Sequence, residues 1–240
     1  MDDVEPIYKR ILLKISGESL QGKKGFGVSQ PVLKKLVFEI KKIHDLGVEI
    51  GIVIGGGNFF RGRESENSVV KRTTSDYMGM LATIMNGLAV CDALESAGLP
   101  AKLISALPIE KLTEAVVTRK IDTYLKEKKV VVFTAGTGSP FFTTDTGAAL
   151  RGIEIGADVF LKATMVDGVY DADPKKSADA KKFKKITYRE VIDKELKVLD
   201  ITAVVLCSEN NLEIKVFDVN QEDSILQAVI SNQIGTIISH

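Results

Sequence analysis

Four segments rich in glycine, lysine and hydroxyl residues follow short apolar runs, and these are the residue types that handle phosphate. The first is Leu12-Leu13-Lys14-Ile15-Ser16-Gly17-Glu18. A strand here would deliver Lys14 at its end, and Gly17 would let backbone N–H groups approach an anion with no Cβ in the way. A solvated strand-end lysine is the plain alternative. The second, Val53-Ile54-Gly55-Gly56-Gly57-Asn58-Phe59-Phe60-Arg61-Gly62, runs a buried strand into three glycines and an arginine. Consecutive glycines are each unfavourable by roughly 0.5–1 kcal/mol against alanine, so close backbone approach to a ligand explains them better than a bare turn. The Arg61 guanidinium would suit a phosphate.

The third segment extends from Thr134 to Asp145 and combines hydroxyls, Gly136, Gly138 and the pair Phe141-Phe142. It could line a small pocket, or it could cap the next helix, with Asp145 complementing the helix dipole. Asp76, after Thr73-Thr74-Ser75, has the same two readings. In the fourth, Leu161-Lys162-Ala163-Thr164 leads into Asp167-Gly168-Val169-Tyr170-Asp171-Ala172-Asp173-Pro174. These residues could hold a nucleoside face, although Asp167-Gly168 also fits a hairpin turn.

Apolar β-branched runs near residues 10–15, 49–54, 101–103, 129–134, 159–162, 214–218 and 236–238 predict strands. Helical periods fall at 31–46, 75–97, 110–126, 144–156, 187–194, 199–208 and 222–231. That alternation favours a mostly parallel sheet covered by helices, where ligands bind at the carboxyl ends of the strands. Residues 21–27 and 61–73 have few apolar anchors and suggest mobility, and 171–185 suggests a surface loop. Neither GxxxxGK[ST], GxGxxG nor a protein-kinase catalytic loop occurs.

With 240 residues, one large α/β domain spanning residues 1–240 is expected. Lys+Arg and Asp+Glu both number 32, which leaves no global field to attract nucleic acid or an anionic membrane. Two histidines, His44 and His240, supply too little material for a His-rich zinc site or a Ser-His-Asp triad. Cys91 and Cys207 lie in apolar surroundings that suit packing in a reducing compartment. The acidic start and the lack of a run near the roughly 18 apolar residues of a membrane helix point to a cytoplasmic chain.

In this order the motifs LLKISGE, IGGGNFFRG, TSDYMGMLATIMNG, TAGTGSPFFTTD, LKATMVDGVYDADP and ELKVLDITA resemble the amino acid kinase superfamily, and within it the bacterial UMP kinases. The resemblance covers essentially the whole chain. It implies a three-layer αβα sandwich with a central, mostly parallel sheet, in which ATP and UMP lie across the strand ends. It assigns Lys14, Ile15, Ser16, Gly17, Gly57, Arg61, Thr164, Tyr170 and Asp173 to ATP. To UMP it assigns Gly56, Asp76, Thr137, Gly138, Ser139, Pro140, Phe141, Phe142, Thr143 and Thr144. Gly22, Lys23, Lys24, Gly25, Phe26 and Gly27 resemble a stretch linked to GTP activation, with UTP as feedback inhibitor and a homohexameric assembly.

A UMP phosphate is largely ionised at neutral pH, its second pKa lying near 6, so the reaction needs no general base. What it needs is positioning and charge neutralisation. Lys14, Arg61, Lys162, glycine N–H groups and Mg²⁺ held mainly by the nucleotide phosphates are the expected counterweights, with Asp145 orienting lysines or magnesium-bound water. Two alternatives share the fold: a kinase of a carboxylate or carbamate, and a nucleotide-binding regulatory protein that has lost transfer.

Overall fold

The computed structural model describes residues 5–60, 69–172, 174, 176, 177 and 179–240. Its strands are β1 (Arg10–Ile15), β2 (Glu49–Ile54), β3 (Ala101–Ser105), β4 (Glu114–Ala115), β5 (Val130–Thr134), β6 (Val159–Thr164), β7 (Lys185–Thr187), β8 (Glu213–Asp218) and β9 (Thr236–Ser239). The helices are α1 (Gln30–Asp45), α2 (Arg72–Ser96), α3 (Thr118–Lys126), α4 (Thr144–Glu154), α5 (Tyr188–Asp193), α6 (Ile201–Glu209) and α7 (Ser224–Ile230). The strands form one sheet in the order β4-β3-β5-β2-β1-β6-β8-β9-β7. Every neighbouring pair is parallel except β8 with β9.

The period-two alternation of β1 divides the core into two layers. Ile11, Leu13 and Ile15 pack with α1, α2 and α7 on one face. Leu12 packs with α3, α4, α5 and α6 on the other. Lys14 shares the face of Leu12 and therefore points toward α4. The chain turns one way from β1 through β2 and returns to place β6 on the other side of β1, so the β1–β6 junction is the switch point where a crevice opens. In that register Lys14 lies directly beside Lys162.

Several expectations are corrected. The helix expected over 110–126 begins only at Thr118. Before it, Ile109 donates its N–H to Thr113 Oγ1 at 2.8 Å, and β4 pairs with β3. A tight turn and an added edge strand thus satisfy a backbone whose composition alone suits a helix. The presumed loop 171–185 ends in β7, and Tyr170 bridges Lys182 antiparallel. The ladder therefore closes around 169–171 and 181–183, and Asp167-Gly168 is not the hairpin turn. The segment 22–27 contains a 3₁₀ turn, Gly22–Lys24, and is tied down: Gly27 donates to Asn58 O at 3.0 Å, and the Phe26 and Phe59 rings meet edge-on at 5.5 Å.

α2 starts three residues earlier than expected, and its 25 residues are long and apolar enough to cross a membrane. The expectation that no such stretch exists is therefore corrected. In the fold Val90, Cys91 and Leu94 of this helix join the α1-side core. Both cysteines are buried and free, and burial pushes each thiol up to about 12, which leaves them inert as nucleophiles.

Lys215, fully buried on β8, staples the far side of the sheet. Its Nζ donates to Ala228 O at 2.9 Å, Ser231 O at 2.6 Å and Asn232 Oδ1 at 3.0 Å. These include carbonyls at the end of α7, where intrahelical donors run out. Replacing Lys215 by methionine keeps the stem but strands those acceptors, and is expected to lower unfolding free energy by about 2–3 kcal/mol in urea denaturation. Burial pushes the Lys215 pKa down to about 8, with Glu213 opposing. Above pH 8 the unfolded chain holds this proton more tightly than the fold, so this group makes stability rise with pH until the unfolded lysine also titrates. The gap between parent and variant should therefore widen as pH rises from 8 toward about 10.

Candidate active site

The centre of the site is a three-charge cluster at the switch point. Thr143 caps α4, its Oγ1 accepting from Asp145 N at 3.1 Å and Thr146 N at 3.3 Å, and this fixes Asp145 in the first turn. The capping reading of this segment is met, and the cap aims the carboxylate at the strand ends, where a ligand could also reach it. Lys14 Nζ lies 2.9 Å from Asp145 Oδ1, and Lys162 Nζ donates to Oδ2 at 2.5 Å. Lys162 also donates to Val198 O at 2.6 Å. All three side chains are nearly buried, at 12%, 13% and 12% exposure.

Burial alone would raise the Asp145 pKa, but the charges of Lys14 and Lys162 outweigh it and hold the carboxyl below its ordinary value. Burial lowers Lys162, helped by the charge of Lys14 and opposed by Asp145. Two lysines on adjacent strands would repel by about 4 kcal/mol at 4 Å and an effective dielectric near 20. Asp145 lets both remain at one spot with donors to spare, since each ammonium has three.

Three cavities meet along this line. The first, about 280 Å³, lies between α2 and the Thr134–Asp145 segment and is lined by Gly56, Gly57, Asp76, Thr137, Ser139, Phe142, Thr143 and Thr144 among others. The second, about 420 Å³, contains Lys14, Asp145 and Lys162 and shares Thr143 and Thr144 with the first. The third, about 580 Å³, is lined by Thr164, Val166, Tyr170 and Pro174 and shares Lys162, Lys197 and Val198 with the second. The result is one trench with a small end, a cationic middle and a larger end. Tyr170 is oriented by its hydrogen bond to Asp167 Oδ1 at 2.7 Å, and Lys182 holds the other carboxylate oxygen at 2.9 Å.

At the small end Asp76 sits in the second turn of α2, so it does not complement the helix start. Arg72 Nε contacts both of its oxygens, at 2.8 and 2.9 Å, and Phe141 donates its N–H to Oδ2 at 2.7 Å. This clamps the 137–144 segment over the cavity. Gly138 instead packs beside Ala106, and Phe141 is largely exposed. Neither these two nor Pro140 lines the cavity. Gly57, expected on the donor side, lines the small cavity beside Gly56. The Ile15 side chain is buried in the α1-side core, which leaves only its backbone for the trench. Arg61 and Asp173 lie outside the described residues.

Ser16 Oγ accepts from Glu18 N at 3.3 Å and starts the 3₁₀ turn Gly17–Leu20. A Cβ on Gly17 would lie 2.6 Å from Gly55 O and 2.7 Å from Gly57 N, so glycine is what lets the first two phosphate-type loops touch. Gly17→Ala should force them apart, lowering stability by about 1–3 kcal/mol. Thermal stability equal to the parent's would remove this packing role.

Sequence reasoning gave no role to Asn86 or Arg72. Asn86 is fully buried and pairs reciprocally with Asn58 at 2.7 and 2.9 Å. It also donates to Gly55 O at 2.7 Å, while Asn58 reaches Gly27 O at 2.8 Å. The glycine loop, α2 and the 22–27 segment are joined through this one amide pair. An amide within the mostly apolar stretch 78–91 of α2 was the available signal. For Arg72 the signal was its i, i+4 spacing to Asp76.

An open sheet with paired lysines, a shared carboxylate and glycine turns at its strand ends defines a phosphoryl-transfer site of the amino acid kinase class, and the amino acid kinase family model matches residues 9–218. Similar proteins include the uridylate kinase of Psychrobacter sp., 51% identical over 241 residues covering 100% of both chains. The uridylate kinase of Mannheimia succiniciproducens is 52% identical over 98% of this chain and 99% of its own. Among solved structures, UMP kinase from Bacillus anthracis superposes with a TM-score of 0.93 at 34% identity, covering 97% of this chain and 96% of its own. The chain belongs to the amino acid kinase family and, within it, groups with the uridylate kinases.

Proposed function

We propose that this protein transfers the γ-phosphoryl of ATP to UMP, giving UDP and ADP in pyrimidine nucleotide synthesis. The observation that carries this reading is the row of three cavities with shared walls, its cationic centre lying between a smaller and a larger one. UMP occupies the small end, its ribose and base against Asp76 and the 137–144 segment and its phosphate over Thr143 and Thr144. ATP occupies the large end against Thr164 and Tyr170, its phosphates reaching Lys162, Lys14 and the Ser16-Gly17 turn. Arg61 and Asp173 complete the ATP set in this proposal.

Lys14 and Lys162 bind the transferring phosphoryl and the β–γ bridge, which offsets repulsion between the two anionic nucleotides. Asp145 takes no proton, because its carboxyl is held ionised and UMP presents an ionised nucleophile. Both oxygens of Asp145 already face lysines, so Mg²⁺ would be held mainly by the nucleotide phosphates and few protein ligands. Asp145 would orient its bound water, and the ion would supply further neutralisation of the β–γ bridge.

The proposal includes GTP activation through residues 22–27, which reach the glycine loop through Asn58, and inhibition by UTP. It also includes a cytoplasmic, single-domain subunit in a homohexamer, supported by the exposed Tyr77, Met78, Leu81 and Met85 of α2. The test is ADP production with ATP and, in turn, UMP, CMP, dUMP, amino acids and carbamate, with and without GTP. Turnover with UMP is expected; turnover with a carboxylate or carbamate and none with UMP would overturn the assignment.

A further inference from the structure

We propose that Asp200 is a positioning residue of the transfer site, holding the start of α4 so that Asp145 keeps both lysines at the point of transfer. This rests on the phosphoryl-transfer reading above. Asp200 lies 55 residues from Asp145 in sequence, yet it lines the same central cavity as Lys14, Asp145 and Lys162. Its Oδ1 accepts from Thr146 Oγ1 at 2.8 Å and from Ala203 N at 2.9 Å. Its Oδ2 accepts from Thr143 Oγ1. One carboxylate therefore caps α6 and ties that cap to the first turn of α4 by two hydroxyls.

The arrangement is directional. Thr143 has one hydroxyl proton, and giving it to Asp200 turns the Oγ1 lone pairs toward Asp145 N and Thr146 N. Asp200 thereby sets the orientation of the cap that aims Asp145. The loop before α6 is held from the other side as well, since Lys162 donates to Val198 O. Two helix starts and the β6 lysine are thus fastened around one cavity. The carboxylate of Asp200 also favours the charged form of Lys162. An ordinary helix cap would need only the Ala203 bond; the two threonine bonds and the place in the cavity are what a cap alone leaves unexplained.

The test uses the full-length protein with Asp200→Asn and Asp200→Ala, measuring turnover, both KM values and thermal stability. Asparagine keeps an oxygen for Ala203 and Thr146, but its amide donates toward Thr143 and reverses that bond. The Asn variant is expected to melt within about 3 °C of the parent. Its turnover should fall about tenfold or more, with both KM values within about threefold, because a misplacement below 1 Å is enough. The Ala variant should lose more of both turnover and stability. An Asn variant with turnover within about twofold of the parent would overturn the role, as would KM values that rise as much as turnover falls. Should neither variant fold, Thr146→Val removes only the 2.8 Å link; it should lower turnover by about threefold or more, and unchanged turnover overturns the proposal. Parent activity toward UMP is measured alongside, so failure of the assigned reaction is separable from failure of this residue.

Discussion

Lys14→Ala is expected to cut the turnover number about 10³-fold while leaving the KM for UMP within about threefold. The asymmetry follows from where the side chain is. Lys14 ends in the central cavity, 2.9 Å from Asp145 and away from the small end proposed here for the base and ribose. Its charge is needed most when negative charge spreads over the transferring group. Steady-state kinetics at saturating ATP separates the two parameters. An unchanged turnover number would remove Lys14 from the mechanism, and a KM effect alone would make it a binding residue.

Asp145→Asn is expected to lower turnover about 10²-fold and to change its pH dependence. With the carboxylate gone, Lys14 and Lys162 face each other without the charge between them. Lys162 is already below its ordinary value through burial, and Asp145 is what opposes that shift. Removing the opposing charge lowers it further, so Lys162 loses its proton at lower pH. Because the charged form is the one that neutralises phosphate, the alkaline fall in turnover should move toward neutrality. A profile that keeps its shape, with turnover at neutral pH nearly intact, would reduce Asp145 to a helix-start device.

The strands that carry these residues were legible because their apolar runs are short and sharply bounded: β1 and β2 occur at the expected residues, 10–15 and 49–54. Lys14, Lys162 and Asp145 stood out as charged groups beside such runs. Their convergence could not be read locally, since it depends on β6 returning to the side of β1. Asp200 was given no role for the same reason: in sequence it is one acid of the motif ELKVLDITA inside the helical period expected at 199–208, and its meaning comes from two threonines more than fifty residues earlier. The helix misplaced over 110–126 shows the opposite failure. Local composition there favours a helix, but pairing of Glu114 and Ala115 with β3 prevails. Asp76 was readable as a candidate and lines the small cavity, while its clamp on Phe141 spans 65 residues.

The most direct measurement is titration of the protein with a single ligand joining adenosine and uridine through five phosphates, followed by calorimetry. If both nucleotides lie in one trench across Lys14, Asp145 and Lys162, one molecule should bind per subunit, about 10²-fold or more tighter than UMP or ATP alone. That gain should fall sharply in Lys14→Ala. Affinity no better than that of the separate nucleotides, or two molecules bound per subunit, would contradict the shared trench and the transfer site built on it.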